Sequence, residues 1–108
     1  MNKALSLMGL ARRAGKLTWG YDTVVEAVRN GEARLVVTAG DISEKTKKNA
    51  RFEAEKRQVP YAETAFPMEE LSAAIGKKTG VLAICDDGFA KKLQQELGAA
   101  GEREELRI

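Results

Sequence analysis

The sequence predicts an α/β protein, a three-layer α/β/α sandwich around a small sheet of about four strands. Three observations carry that expectation. Two segments, Leu35-Val36-Val37-Thr38-Ala39 and Val81-Leu82-Ala83-Ile84-Cys85, are near-continuous apolar runs of the kind covered on both faces of a sheet. The segments between them repeat apolar residues at helical spacing. Strand and helix signals then alternate along the chain, which stacks helices against a sheet.

A first helix is expected over residues 2–14, with Ala4, Leu5, Leu7, Met8 and Ala11 on one face and Gly15 as its stop. Arg12 and Arg13 fall in its last turn, where cations suit the helix dipole. Lys16 to Trp19 reads as a short strand that passes through Gly20 into a second helix, about 21–30, closed by Asn30-Gly31. Asp22 or Thr23 is available to cap that helix, and Val24, Val25 and Val28 form its apolar face. After the strand ending at Ala39, a charged third helix runs from about Glu44 to Arg57 with Ala50 and Ala54 as a narrow stripe. Val59-Pro60-Tyr61 opens a very short strand, at an edge because proline cannot donate to a ladder. Pro67 is placed for the first turn of a fourth helix, on which Met68, Leu71 and Ile75 share a face before Gly76. Lys77-Lys78-Thr79-Gly80 is a polar loop before the second core strand. Asp86-Asp87-Gly88 caps a last helix with Phe89, Leu93 and Leu97 in register. Residues 1–97 are expected to form a single domain and 98–108, rich in Gly, Ala and Glu, a flexible tail.

Composition narrows the chemistry. A chain of 108 residues, 44 % hydrophobic and 31 % charged, is long enough to bury a core without disulfides. The single cysteine, Cys85, excludes a disulfide within the chain and fits a reducing, cytoplasmic compartment. With no histidine, the usual general base and the commonest neutral metal ligand are both missing. No apolar run approaches the ~18 residues of a membrane span. Net charge is +2, unevenly placed: residues 1–58 hold 12 Lys or Arg against 7 Asp or Glu, and residues 59–108 hold 6 against 9. A basic face in the first half is the expectation.

No catalytic constellation stands out. Asp86 and Asp87 are explained as helix caps, and Cys85 at the end of an apolar strand behaves as a small hydrophobe. Asp22 and Glu26 share a helix face, but nothing beside them suggests an acid–base pair. No phosphate loop, metal-ligand spacing or nucleophile elbow is present. The expectation is a non-enzyme that needs no cofactor and no metal.

Binding groups, in contrast, recur in one pattern. At Gly20-Tyr21-Asp22-Thr23 a strand turns through glycine into a helix whose first N–H groups suit phosphate or base-edge oxygens. A similar junction follows at Gly40-Asp41-Ile42-Ser43, with Lys45, Lys47 and Lys48 behind it. Read plainly, each is a capped helix in an α/β domain.

Six segments in order give a further reading. Leu10-Ala11-Arg12-Arg13-Ala14-Gly15-Lys16, Gly20-Tyr21-Asp22-Thr23, Leu35 to Asp41, Val59-Pro60-Tyr61, Leu71 to Gly76, and Gly88-Phe89-Ala90-Lys91-Lys92-Leu93 run in order, and the likeness they carry extends from about residue 3 to residue 95. Together they resemble the kink-turn RNA-binding ribosomal proteins of the L7Ae/L30e superfamily, and most closely their small bacterial YlxQ-type members. The resemblance implies the same sandwich with a mixed sheet. It also implies a non-catalytic, ribosome-associated protein, a monomer when free, whose partner is structured RNA, ribosomal RNA first, with no membrane involved.

In that family the second helix opens with a Gly-x-Asn-Glu-x-x-Lys pattern whose side chains read the sheared G·A pairs of a kink-turn. Gly20 matches the glycine, Asp22 the asparagine, Thr23 the glutamate and Glu26 the lysine, with Tyr21 between. Asp22 keeps only the acceptor half of an amide, Thr23 lacks the charge, and Glu26 sets an anion where the family has a cation. Ser43 and Lys47 fall where the family holds a flipped-out base, and Asp41 is a further candidate RNA-binding residue in the same junction. Lys77, Lys78, Thr79 and Gly80 fall in the loop that supplies its remaining contacts, and Lys16 adds a cation upstream. Two other classes remain open. One is a protein-interaction module that keeps the fold without kink-turn specificity. The other is a relative of ribose methyltransferases, for which the chain has no room for a catalytic domain.

Overall fold

In the computed structural model, which describes residues 2–98, four strands form one sheet in the order β1-β4-β2-β3. The elements are α1 (Lys3–Arg13), β1 (Leu17–Trp19), α2 (Tyr21–Arg29), β2 (Leu35–Thr38), α3 (Glu44–Lys56), β3 (Tyr61–Glu63), α4 (Met68–Ile75), β4 (Val81–Ile84) and α5 (Asp87–Leu97). β4 runs antiparallel to both β1 and β2, and β3 pairs parallel with β2, so the sheet is mixed. The register sets Val37 opposite Leu82 and Leu17 opposite Ile84.

Strand alternation divides the core into two halves. On one face Leu17, Leu35, Val37, Leu82 and Ile84 meet Met8 of α1, Leu71 and Ile75 of α4, and Leu93 of α5. On the other, Val36, Val81 and Ala83 meet Val24 and Val28 of α2 and Ala50 and Ala54 of α3. Every residue of β2 and β4 is buried. That double burial is why these two strands read as near-continuous apolar runs, and it produces the three layers.

Local chemistry sets the boundaries, with three departures from expectation. Asn2 caps α1 by accepting from the N–H groups of Ala4 and Leu5, and Gly15 at φ +74° lets the chain turn into β1 one residue later than expected. The N-cap of α2 is Gly20, at φ +92°, without a side-chain cap; Asp22 and Thr23 lie inside the helix instead. The sharp turn from β1 needs the positive φ, so the glycine takes the cap position and Asp22 serves the helix dipole from the first turn. Pro67 likewise sits at the N-cap of α4 rather than in its first turn. Asp86 caps α5 as expected, accepting from Phe89 N–H at 2.9 Å. β3 is an edge strand, consistent with Pro60 before it. The tail expected from residue 98 lies, from residue 99 on, outside the described residues.

Candidate nucleic-acid interface

Because β4 runs against β1 and β2, its start lies beside their ends. The turn from β1 into α2, the loop from β2 into α3 and the loop from α4 into β4 therefore meet at one end of the sheet. Hydrogen bonds tie them. Gly20 N–H donates to the Val81 carbonyl at 2.9 Å and faces Thr79 Oγ1 at 3.2 Å. Ala39 N–H donates to the Gly80 carbonyl at 2.9 Å. Ile42 packs so closely on Gly80 that a Cβ there would collide with its Cγ2. Gly40 is equally confined, since a Cβ would stand 2.8 Å from the Thr64 carbonyl oxygen.

Around this frame the expected residues fall into three groups. Asp22, Thr23 and Glu26 are exposed on α2, whose opposite side buries Val24, Val25, Ala27 and Val28. Tyr21 is half-buried against the α2/α3 half of the core. Lys77 and Lys78 are exposed in the α4–β4 loop. Among the described residues the side chains of Asp22, Thr23, Glu26, Lys77 and Lys78 have no ion-pair partner, and no side chain caps the first turn of α2.

A second group is present but committed to holding the loops. Asp41 accepts from Met68 N–H at 2.8 Å and so caps α4 from across the molecule. Ser43 caps α3 by accepting from Thr46 N–H at 3.1 Å. Thr79 is buried; its hydroxyl donates to the Val81 carbonyl at 2.6 Å and accepts from Val81 N–H at 3.1 Å.

The third group corrects the sequence reading. Lys47, expected to face a ligand, has a side chain only 7 % exposed. Its ammonium donates to the Gly40 carbonyl at 2.7 Å and pairs with Glu63 at 3.0 Å and Glu44 at 3.2 Å. Hydrogen bonds from the ammonium to Glu63 and then Glu44 hold its pKa above the ordinary lysine value. Helix geometry explains the burial, because Lys47 shares the inward stripe with Ala50 and Ala54. Lys16 lies at the opposite end of β1, where its carbonyl accepts from Cys85 N–H at 2.8 Å. Three strand residues separate it from Gly20, a path of roughly 13 Å at ~3.3 Å per residue.

Several partners were not legible in the sequence. Ser72 on α4 accepts from Thr79 N–H at 2.9 Å and pins the loop, and Glu63 anchors Lys47 from the edge strand. The Glu44/Lys47 spacing was the one local hint of that ion cluster. Arg12 covers Trp19, its guanidinium carbon 4.6 Å from the ring centroid. As for reactive groups, burial pushes the Cys85 thiol up, away from the thiolate a nucleophile requires. Among the described residues no cluster of three potential metal ligands occurs, and no helix is long and apolar enough to cross a membrane.

Comparison with known proteins decides the family. The family model described as "Ribosomal protein L7Ae/L30e/S12e/Gadd45 family" matches residues 2–94. The chain belongs to this L7Ae/L30e family. It is similar to "RNA-binding protein YlxQ" of Enterococcus faecium, 42 % identical over 93 residues that span 86 % of this chain and 89 % of that protein. "Large ribosomal subunit protein eL30" of Tetrahymena thermophila is 31 % identical over 84 % of this chain and 89 % of its own length. A solved structure of a Bacillus halodurans protein of unknown function superposes with a TM-score of 0.85 at 37 % identity, covering 90 % of this chain and 98 % of that one. The Giardia lamblia 15.5kD RNA binding protein, at 21 % identity, shares the L7Ae/L30e fold with a TM-score of 0.70, over 88 % of this chain and 82 % of that one.

Proposed function

We propose that this chain is a non-catalytic binder of structured, kink-turn-like RNA, monomeric when free and associated in the cytoplasm with the ribosome or its RNA. The observation that carries the reading is the convergence of three loops at one end of the sheet, with Asp22, Thr23 and Glu26 exposed beside two free lysines. Irregular RNA is read through opened grooves and backbone geometry, which a rigid frame of loops suits better than a flat charged face. Relatives named as RNA-binding and ribosomal proteins support the class of partner.

In this reading the first turn of α2 meets the bases. Asp22 accepts from guanine N–H groups, and Thr23 supplies a hydroxyl beside it. Lys77 and Lys78 sit on phosphates, while Asp41, Ser43, Lys47 and Thr79 act through the loops they hold. Gly20 and Gly80 allow the close approach.

Titration of a kink-turn RNA and an unkinked duplex of equal length, over a range of salt, tests it. Affinity should fall steeply with salt, each neutralised phosphate adding a little under one unit to the log–log slope. Replacing Lys77 and Lys78 by Ala should flatten that slope by roughly one to two units. No binding to either RNA, or a slope unchanged in the variant, contradicts the assignment. A protein partner is the second reading, favoured by the two carboxylates, Asp22 and Glu26, exposed on one helix face.

A further inference from the structure

α3 buries a single stripe, made of Lys47, Ala50 and Ala54. At about 100° per residue, the direction opposite that stripe carries Lys45, Phe52 and Lys56, flanked by Lys48 and Asn49. All five are exposed, and Phe52, at 60 %, joins neither half of the core. Among the described residues no carboxylate stands within ion-pair distance of Lys45, Lys48 or Lys56. The Lys56 ammonium lies 5.1 Å from the Phe52 ring centroid. Glu55 is the one acidic neighbour on this outward side, because Glu44 is held by Lys47 and Glu53 by Arg29. Apart from the contact of Lys56 with the Phe52 ring, these outward groups pack against nothing among the described residues.

Charge and position indicate an occupant. The N-cap of the helix, Ser43, lies inside the loop frame of the candidate interface, so the stripe leads away from that site. From Lys45, Phe52 lies roughly 10 Å and Lys56 roughly 16 Å along the axis, at ~1.5 Å per residue. Cations spaced around an exposed aromatic ring are the arrangement that holds an unpaired nucleic-acid strand. Phosphates take the cations, and any base stacks on the ring.

We propose that this outer face of α3 is a track for an unpaired RNA strand leaving the structured element, with one base stacked on Phe52 and phosphates on Lys45, Lys48 and Lys56. The proposal deepens the RNA-binding reading and rests on it for the placement of the structured part. It adds a second surface, distinct from the convergent loops.

The test compares a kink-turn RNA with the same RNA carrying an unpaired extension of about eight nucleotides, within the site sizes known for single strands. The extension should tighten binding by the parent ~5- to 150-fold, the range of one base–aromatic stack. Phe52→Ala should abolish that increment, leave the unextended RNA bound as before and unfold at the parent's temperature, while Phe52→Trp should keep the increment. Lys45→Ala with Lys48→Ala and Lys56→Ala should lower the salt slope for the extended RNA alone, by roughly 0.7 for each lost contact. An equal loss on both RNAs in Phe52→Ala, or no increment in the parent, overturns the proposal. The free extension oligonucleotide separates the two readings. If it binds in a Phe52-dependent way while the kink-turn does not bind at all, the track stands and the structured site fails. Phe52-dependent sedimentation with phosphatidylserine vesicles, without an RNA increment, overturns the proposal in favour of a membrane surface.

Discussion

Lys47 and Lys77 carry the same charge to different ends. Lys77 stands in solvent, whereas the Lys47 ammonium joins the Gly40 carbonyl, the first turn of α3 and the β3 edge through Glu44 and Glu63. Its pKa is raised by those carboxylates, so its contribution to stability is complete below the ordinary lysine pKa and is lost as pH rises through the raised value. Glu53 behaves in the opposite sense: the hydrogen bond from Arg29 lowers its pKa, and its contribution disappears as pH falls below the ordinary carboxylate range. Urea midpoints measured against pH should therefore show a neutral plateau with an alkaline decline that Lys47→Met makes shallower, the remainder coming from Tyr61 and Cys85, whose pKa values burial raises. The same variant should weaken RNA binding with an unchanged salt slope, because this ammonium meets no phosphate. Glu26 permits a sharper prediction. It lies one turn after Asp22 on the exposed side of α2, so Glu26→Lys replaces a repulsion with a donor. A charged contact of this type is worth about 1–3 kcal/mol. Kink-turn affinity should rise accordingly, the unkinked duplex should gain less, and stability should change by only about 0.5 kcal/mol. An equal gain on both RNAs means Glu26 tunes only the overall field.

Among the elements, the loops are held by groups distant in sequence, which leave no local signature. The cap of α5 was legible because Asp86 serves its own helix, three residues from Phe89. The cap of α4 was not, since Asp41 reaches it from 27 positions away. At the start of α2, Asp22 and Thr23 are good capping types, but the turn out of β1 requires positive φ and Gly20 prevails. Thr79 looked like a surface loop residue between Lys78 and Gly80, yet its hydroxyl satisfies Val81 N–H inside the fold. Thr79→Val keeps the shape and leaves that N–H unpaired. It should cost about 1–3 kcal/mol in urea unfolding. A neutral outcome would mean that Gly20 and Val81 hold the loops without the hydroxyl.

For the whole molecule, what sequence fixed was what repeats: buried strands read as apolar runs, amphipathic helices as 3.6-residue spacing, and their alternation as layers. Strand direction has no such local signature. The mixed sheet followed from the resemblance, and the pairing of β4 against both β1 and β2 is what brings three loops together. That same topology sends Lys16 to the far end, although it is only four positions before Gly20. The excess of cations in residues 1–58 was visible, but not that Lys47 is spent on a buried clamp while Lys45, Lys48 and Lys56 line the outer face of α3.

Docking of structured RNA at the convergent loop end of the sheet would appear in backbone amide NMR shifts mapped during titration with a kink-turn RNA. The largest changes should fall on Gly20 to Glu26, Asp41 to Ser43 and Lys77 to Gly80, with Lys16, Cys85 and Asp86 at the opposite end little affected. Shifts centred on Lys16, Cys85 and Asp86, or none at saturating RNA, would contradict it.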